Sequence, residues 1–482
     1  MPHFDYCMAP YVEKTYEKEY EDALDIYDRL IGDNDEDSAR TFARDRAMER
    51  TKRLTYQAME ALIHNLNTMH SRAGAQTPFS SLNYGTDTSW EGRLVIKCLL
   101  NATRAGLGNG ETPIFPVQIF KVKEGVNYNP GDSNYDLFKL AMKTSAERLF
   151  PNFSFLDAPF NKEFYTKPGD WNHEVAYMGC RTRVMANIDK SHEVTCGRGN
   201  LSFTTINLPR IGLESKGNTD KFLDILTERI NLVIRQLLHR YKIQCKKKVK
   251  NYPFLMGNGI WIDSDKLDWE DTIESVLKHG TLTIGFIGLA ECLVALTGKH
   301  HGESEESQKL GLYIIKYMRT RCDRASKDYN LNFSLIATPS EGLAGRFVPL
   351  DRKRFGTLKG ITDREYYTNS FHVPVYYPIK AFKKIQIEAP YHALTNGGHI
   401  TYVELDGDTA KNPEAFEKII RYMHDCGVGY GSINHPIDRD PVCGYTGVID
   451  DVCPRCGRRE GESVSVEKLR ELRKKFSNVP KY

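Results

Sequence analysis

Apolar runs of strand character alternate with amphipathic helical segments over more than three hundred residues of this 482-residue chain, and that alternation constrains its fold most. Residues 114–122 (IFPVQIFKV) are apolar at alternate positions and bounded by Pro113 and Gly125, which predicts a strand. Strands are also expected at 174–178, 202–208, 331–337, 385–389 and 399–404. Helical spacing runs through Phe42, Leu54, Met59, Leu62, Leu66 and Met69, predicting one or two helices over 36–71. Residues 90–105 continue the pattern. Residues 218–244 form an amphipathic helix with Asn218, Thr219 and Asp220 as cap candidates. Further helices are expected at 269–278, 285–297, 304–327 and 413–426. A chain so organised belongs to the α/β class.

Charge excludes some functions. With 66 basic and 63 acidic residues the net charge is +3, too balanced for direct nucleic-acid binding or for a membrane surface. Lysines 246–248 read as a solvated face. The most apolar stretch, 281–298, is broken by Glu291 and glycines and reads as a buried helix, not a membrane span. No basic segment leading into an apolar run marks the start for secretion. Eleven cysteines without such a signal indicate reduced thiols and a cytoplasmic location.

From about residue 430 the composition changes, which divides the chain into a catalytic portion (1–430) and a small metal-binding module with a charged tail (431–482). His435, Cys443, Cys453 and Cys456 fall within 22 residues. Cys453-Pro454-Arg455-Cys456-Gly457 is a zinc-knuckle turn, whose two-residue spacer brings both sulfurs to one ion. Cys443-Gly444 repeats half of that turn, but Asp440 stands where its partner cysteine would be. The expected ligands are Cys443, Cys453, Cys456 and His435, with Cys426 and Asp440 as alternatives for the fourth. The competing reading is a redox-idle surface turn.

Cys180 lies in Tyr177-Met178-Gly179-Cys180-Arg181-Thr182-Arg183, between strand-like runs. Glycine beside it permits close backbone approach, as a shielded thiol working on a substrate hydrogen requires. This segment resembles the thiyl-bearing loop of the anaerobic, class III ribonucleoside-triphosphate reductases, which are glycyl radical enzymes. The resemblance extends in order through 67–87 (NTMHSRAGAQTPFSSLNYGTD), 108–126, 149–161, 197–209 (GRGNLSFTTINLP) and 396–404 (NGGHITYVE).

The resemblance implies a ten-stranded α/β barrel with a C-terminal zinc module. It implies Cys180 as the thiyl site and Asn200 as an amide bonding the ribose hydroxyls. Asn200 also reads as a turn residue tying its own backbone. Ser80, Ser81 and Asn83 could cradle ribose or the cysteine loop, and His70 and Arg72 sit nearby. Residues 338–341 (Thr-Pro-Ser-Glu) read as a strand-to-helix turn with Thr338 as N-cap and a glutamate three residues on, a place where free N–H groups attract anions. The resemblance implies that this neighbourhood takes the substrate triphosphate, which makes Thr338 and Ser340 candidates, while Glu341 reads equally as the capping-box residue, its charge repelling phosphate. ATP and dNTP effectors, a radical-SAM activating enzyme and a homodimer follow by resemblance as well.

Two expected parts are missing from the sequence. The family's radical loop, Arg-Val-x-Gly-Tyr, follows its four-cysteine zinc module, and no such loop follows Cys456 here. Pro441-Val442-Cys443-Gly444-Tyr445 mimics it, but precedes the knuckle. The first residues resemble the middle of the reductase, after its regulatory domain and first barrel strands, and the family's second active-site thiol would lie before Met1. Cys7 and Cys98 read as packed thiols. The barrel is thus expected to be incomplete at its start, with the glycyl radical supplied by another segment or a separate chain. A catalytically incomplete fragment, a regulatory partner of a full-length reductase, and another glycyl radical chemistry are the alternatives.

Overall fold

The computed structural model describes residues 1–30, 36–69, 77–108, 110–476 and 479. Strands β1 (Ser81–Tyr84), β2 (Val117–Val122) and β3 (Asn152–Phe155) are mutually parallel. Two short pairs follow the first three strands and close the chain. These are β4 (Tyr177–Met178) with β5 (Thr182–Arg183), and β11 (Asp438–Arg439) with β12 (Thr446–Gly447). Between them come β6 (Asn200–Asn207), β7 (Thr281–Ile287), β8 (Asn332–Ala337), β9 (Thr401–Glu404) and β10 (Tyr430–Asn434).

The order β1-β2-β3-β10-β9 makes one sheet and β6-β7-β8 another. Strand β10 runs antiparallel to β3 and parallel to β9. A single parallel bridge from Gly398, just before β9, to Ile336 of β8 links the two sheets. The result is two parallel groups, β1–β3 and β10-β9-β8-β7-β6, meeting along an antiparallel seam.

This departs from a closed ten-stranded barrel: eight main strands are present among the described residues. The outer edge of β1 bonds Met1, whose amino group donates to the Ser81 carbonyl and whose carbonyl accepts from the Asn83 N–H. At the other end Arg240 crosses the end of β6, donating to the Phe203 carbonyl and to Ser202 Oγ. Strand β10 spans the 430/431 position and continues in the sheet to Asn434.

Helices cover the sheets. One apolar core joins Phe120, Phe153, Val403 and Ile433 of the strands to Leu99, Phe138 and Ile420 of the helices Trp90–Ala105, Tyr135–Arg148 and Pro413–Asp425. A second joins Ile284, Phe286 and Leu335 to Leu226, Leu293 and Ile315. Burying each such side chain contributes about 1.5–3 kcal/mol. Caps are supplied locally. Asn218 accepts the Lys221 N–H ahead of the helix Thr219–Cys245, and Ser304 accepts the Ser307 N–H ahead of Glu305–Tyr329.

Four expectations change. Residues 281–287 (TLTIGFI) form the central strand β7, buried at every position, and the helix begins only at Leu289. A parallel strand covered on both faces is uniformly apolar, which periodicity alone does not separate from a buried helix. Residues 385–389 lie inside the helix Ala381–Leu394. Ile385, Glu388, Ala389 and His392 are all buried at helical spacing, so polar character there does not mark the exposed face. In 269–278 only Glu274–Leu277 is helical, and the long first helix Phe4–Leu30 has no counterpart in the sequence reading.

Glycine at 285 is required by contact. A Cβ there would stand 2.0 Å from Thr338 Oγ1 and 3.0 Å from Thr205 Oγ1, two hydroxyls bonded to each other at 3.1 Å. Gly285→Ala is expected to destabilise the protein by about 1–3 kcal/mol, read from urea unfolding. An unchanged midpoint would contradict this packing.

Candidate active site

Cys180 sits in the turn of the β4–β5 hairpin, whose strands pair Tyr177 with Arg183 and Met178 with Thr182. Gly179 has φ +55°, and a Cβ there would lie 2.9 Å from the Phe79 ring, so both conformation and space call for glycine. Four bonds tie the hairpin to β1 and β10. Asn83 donates to the Tyr177 carbonyl at 2.8 Å and accepts its N–H at 2.9 Å. Ser81 Oγ accepts the Gly179 N–H at 3.1 Å, and the Tyr430 hydroxyl donates to the Gly179 carbonyl at 3.2 Å. On the other side the His399 N–H donates to the Arg181 carbonyl, and Thr182 bridges Gly398. The hairpin is thus anchored to strands on both sides of the seam.

Ser81 and Asn83 therefore cradle the cysteine loop, one of the two roles their sequence allows. Asn83→Ala would leave two buried backbone groups of Tyr177 unpaired, at about 1–3 kcal/mol each. A loss of about 2–4 kcal/mol in unfolding free energy is expected, and a near-neutral result would show that the anchor is dispensable.

The Cys180 thiol is partly buried and unpaired. The phenols of Tyr402 and Tyr430 lie within electrostatic range of its sulfur, and burial raises the pKa of both. Tyr402 also faces the Arg181 guanidinium, 5.9 Å from the ring centre. Tyr402 lines a cavity of about 420 Å³ that Ser340, Gly342, Asn369, His372 and Lys384 help to enclose. That volume suits a small polar ligand. Neither Cys180 nor Arg181 lines this space; the turn reaches its wall through the Arg181 guanidinium, which donates to the carbonyls of Ala337 and Thr338 and to Asn369.

The remaining candidates separate. Ser340 lines the cavity at the start of the helix Glu341–Phe355. Thr338 is fully buried, and its hydroxyl is bonded to Thr205. It is not the helix cap: that position falls to Ser340, which makes no side-chain capping bond. Thr338 still follows directly on β8, so the helix begins later than the capping pattern suggests. Asn200 accepts the Ser202 N–H at 3.0 Å, the self-tying role weighed for it. Ser80 donates to the Pro78 carbonyl. His70 and Arg72 lie outside the described residues.

Sequence reasoning missed a buried ionic group in the cavity wall. Lys384 bonds Glu404 at 2.6 Å, and Glu388 meets both His372 and the Val373 N–H. Burial would raise the Glu388 pKa, but His372 and Lys384 together hold it below the usual carboxylate value. These residues come from separate segments, and only Tyr402 and Glu404 fall in a stretch with a recognisable pattern.

In the C-terminal module Asp440, Cys443, Cys453 and Cys456 converge, with one ligand atom from each within 4.8 Å of the others. His435 does not join them. It leaves the end of β10 facing the core, where Nε2 meets the Ser145 carbonyl at 3.1 Å. Gly444 has φ +69° and returns its N–H to the Asp440 carbonyl, so it closes the turn that carries Asp440 and Cys443. Burial pushes the Cys443 and Cys456 thiols up. Zinc fits this donor set. The module's own apolar core is small, consisting of Leu472, Val479 and partly buried Tyr445, Ile449 and Leu469 around the cysteines.

A family model described as anaerobic ribonucleoside-triphosphate reductase matches residues 1–469. The reductase of Haemophilus influenzae is 35% identical over 420 residues, covering 85% of this chain and 57% of the relative. That of Escherichia coli is 35% identical, covering 87% and 59%, and that of Enterobacteria phage T4 is 33% identical, covering 96% and 73%. Among solved structures, an anaerobic ribonucleotide reductase superposes with a TM-score of 0.62 at 19% identity, over 85% of this chain and 62% of that one. The Thermotoga maritima reductase solved with dATP and CTP gives 0.61 at 19% identity, over 85% and 65%. The B12-independent glycerol dehydratase of Clostridium butyricum gives 0.55 at 10%, over 79% and 55%. At these identities the structures speak to the fold alone. The chain spans 57% and 63% of the first two curated relatives' lengths. With the family model matched almost throughout and a third of positions shared with its curated members, the chain belongs to the anaerobic ribonucleoside-triphosphate reductase family.

Proposed function

We propose that this chain supplies the catalytic thiol for anaerobic reduction of ribonucleoside triphosphates to deoxyribonucleoside triphosphates. The observation that carries the reading is the anchoring of the Cys180 turn from both sides, by Ser81, Asn83 and Tyr430 and by His399, with Arg181 of that turn bonded to Asn369 in the wall of the cavity of about 420 Å³. A glycyl radical on another segment or a separate chain, installed by a radical-SAM activating enzyme, would supply the one-electron chemistry, with Cys180 as the residue of this chain whose thiol gives up its hydrogen. Cys180 then takes the 3′-hydrogen of the ribose, the 2′-hydroxyl leaves as water, and the hydrogen returns to C3′. The net change adds two electrons and two protons, which an external reductant, formate or a dithiol protein, must provide.

The triphosphate is assigned by resemblance to the neighbourhood of Thr338 and Ser340, where Ser340 and Glu341 line the cavity at the start of the helix Glu341–Phe355. Thr338 acts there through its backbone, which fixes Arg181. Asn200 is assigned to the ribose hydroxyls by resemblance, with its amide nitrogen as donor. The catalytic portion runs through the end of β10 at Asn434, four residues past the boundary expected at 430, and the zinc module follows it. Homodimerisation, effector binding and a cytoplasmic setting complete the reading. No helix among the described residues is long and apolar enough to cross a membrane.

The test is anaerobic reconstitution with an activating enzyme and a glycyl-bearing chain of the family, scored by deoxynucleotide formation. No product from any such combination, with this chain folded, would sink the catalytic reading in favour of a regulatory or inert partner.

A further inference from the structure

The metal module contains two turns of one design. Asp440-Pro441-Val442-Cys443-Gly444 and Cys453-Pro454-Arg455-Cys456-Gly457 both carry proline second, cysteine fourth and glycine fifth. Their backbone bonds correspond. The first residue's N–H donates to the carbonyl five residues on, Asp440 to Tyr445 and Cys453 to Arg458, each at 2.9 Å. The glycine N–H returns to the first residue's carbonyl, at 2.9 Å for Gly444 and 2.8 Å for Gly457. Both glycines are left-handed, with φ of +69° and +77°. Asp440 thus occupies in one turn the place that Cys453 occupies in the other.

The carboxylate is oriented for ligation. Oδ1 accepts the N–H groups of Val442 and Cys443, both at 2.8 Å, which points Oδ2 toward the sulfurs, 3.7 Å from Cys456 Sγ. Cys443 Sγ and Cys453 Sγ are 3.6 Å apart. A tetrahedral ion holding sulfur at about 2.3 Å and oxygen at about 2.0 Å requires edges of about 3.8 Å between sulfurs and about 3.5 Å between sulfur and oxygen. Both separations agree within about 0.2 Å. Asp440 is 2% exposed and pairs with Arg458, whose Nε lies 2.5 Å from Oδ2.

We propose that Asp440 is the fourth ligand of this site, giving one carboxylate and three thiolates where the family pattern has four cysteines, with Arg458 positioning the carboxylate. The inference rests on reading the tail as a metal module, and is independent of the nucleotide chemistry. A harder oxygen donor in a thiolate site shifts preference toward zinc and cobalt over soft ions such as copper(I).

The test uses the full chain loaded anaerobically with Co²⁺, whose sulfur-to-metal charge-transfer absorption follows the number of thiolate bonds. Asp440→Cys is expected to raise that absorption in the ratio of four thiolates to three and to tighten Co²⁺ against a chelator. Asp440→Ala is expected to retain the three-thiolate intensity, change the visible ligand-field bands and weaken binding. Arg458→Gln, acting through Asp440, is expected to weaken binding about 10-fold with the charge-transfer band unchanged. Equal charge-transfer intensity in Asp440→Cys and the parent would overturn Asp440 as a ligand. Failure of the parent to take up Co²⁺ would overturn the metal reading itself. Neither readout requires turnover, so an inactive reductase with the expected spectra leaves the assignment standing.

Discussion

Cys180→Ala is expected to reduce deoxynucleotide formation to background in any reconstituted enzyme. Removing the sulfur leaves no group at that turn able to give up and take back a hydrogen atom at the ribose. Arg181 and the neighbouring tyrosines offer charge and hydrogen bonds, not an S–H bond of the required strength. The substitution is conservative for folding, because the thiol is partly buried and the turn is held through backbone groups of Tyr177, Gly179 and Arg181. Stability is expected to change by no more than about 1 kcal/mol. Metal content should be unchanged, since the cysteines near the C-terminus form their own cluster. Turnover retained in the alanine variant would reject Cys180 as the thiyl site, and lost turnover with a lost fold would be exposed by the unfolding midpoint.

Acid is expected to unfold this protein well above the carboxylate range, because several histidines are buried in neutral form. His399 is fully buried, with Nε2 at 2.8 Å from the Tyr177 hydroxyl and Nδ1 at 2.8 Å from the Thr395 carbonyl. His392 accepts the Gly429 N–H on Nδ1 and meets Thr401 Oγ1 through Nε2. Adding a proton to His392 Nδ1 would oppose it to another N–H. Burial first, then neighbouring positive groups, lower the pKa of both rings well below the ordinary value. His301, bonded to the Phe371 carbonyl, is lowered to about 4 by burial and by His300.

The sign follows from proton uptake. Below about pH 6.5 the unfolded chain protonates these rings and the folded one does not. Their stabilisation is full above about pH 6.5 and is lost as pH falls toward the folded values, which for His301 is about 4. Each contributes up to about 1.4 kcal/mol per pH unit in that window. His424 works oppositely, since Asp157 and Asp425 raise its pKa against the burial that would lower it. His3, His279 and His300 are lowered as well, burial being the first cause in each, so with six rings lowered against one raised the unfolding free energy should drop by several kcal/mol between pH 7.5 and pH 5.5 in urea titrations. A flat profile across that interval would contradict neutral burial.

Legibility followed the range of the interactions. The helix Trp90–Ala105 was readable because its period is local and its cap, Ser89, adjoins it. Residues 385–389 were not, because Glu388 and His392 are buried by partners such as His372 and Gly429, far from them in sequence. The three metal cysteines announced themselves through spacing and glycine. The fourth position did not, since His435 and Asp440 are both near in sequence, and only the path of β10 into the core turns His435 away. The cavity wall, drawn from residues 340–345, 365–376, 384 and 402–404, has no local signature.

What the chain's letters determined unaided was the α/β alternation, the glycine-bearing turn around Cys180, the convergence of the knuckle sulfurs and the kinship those segments carry, all of them consequences of short-range pattern. Only the tertiary structure decided that the strands form groups of three and five, that Asn83 and Ser81 grip the hairpin, that Thr338 packs inward, and that Asp440 rather than His435 lies against the three sulfurs. Each of these depends on which distant segment supplies a hydrogen-bond partner, and a buried polar group is defined by that partner rather than by its neighbours in sequence.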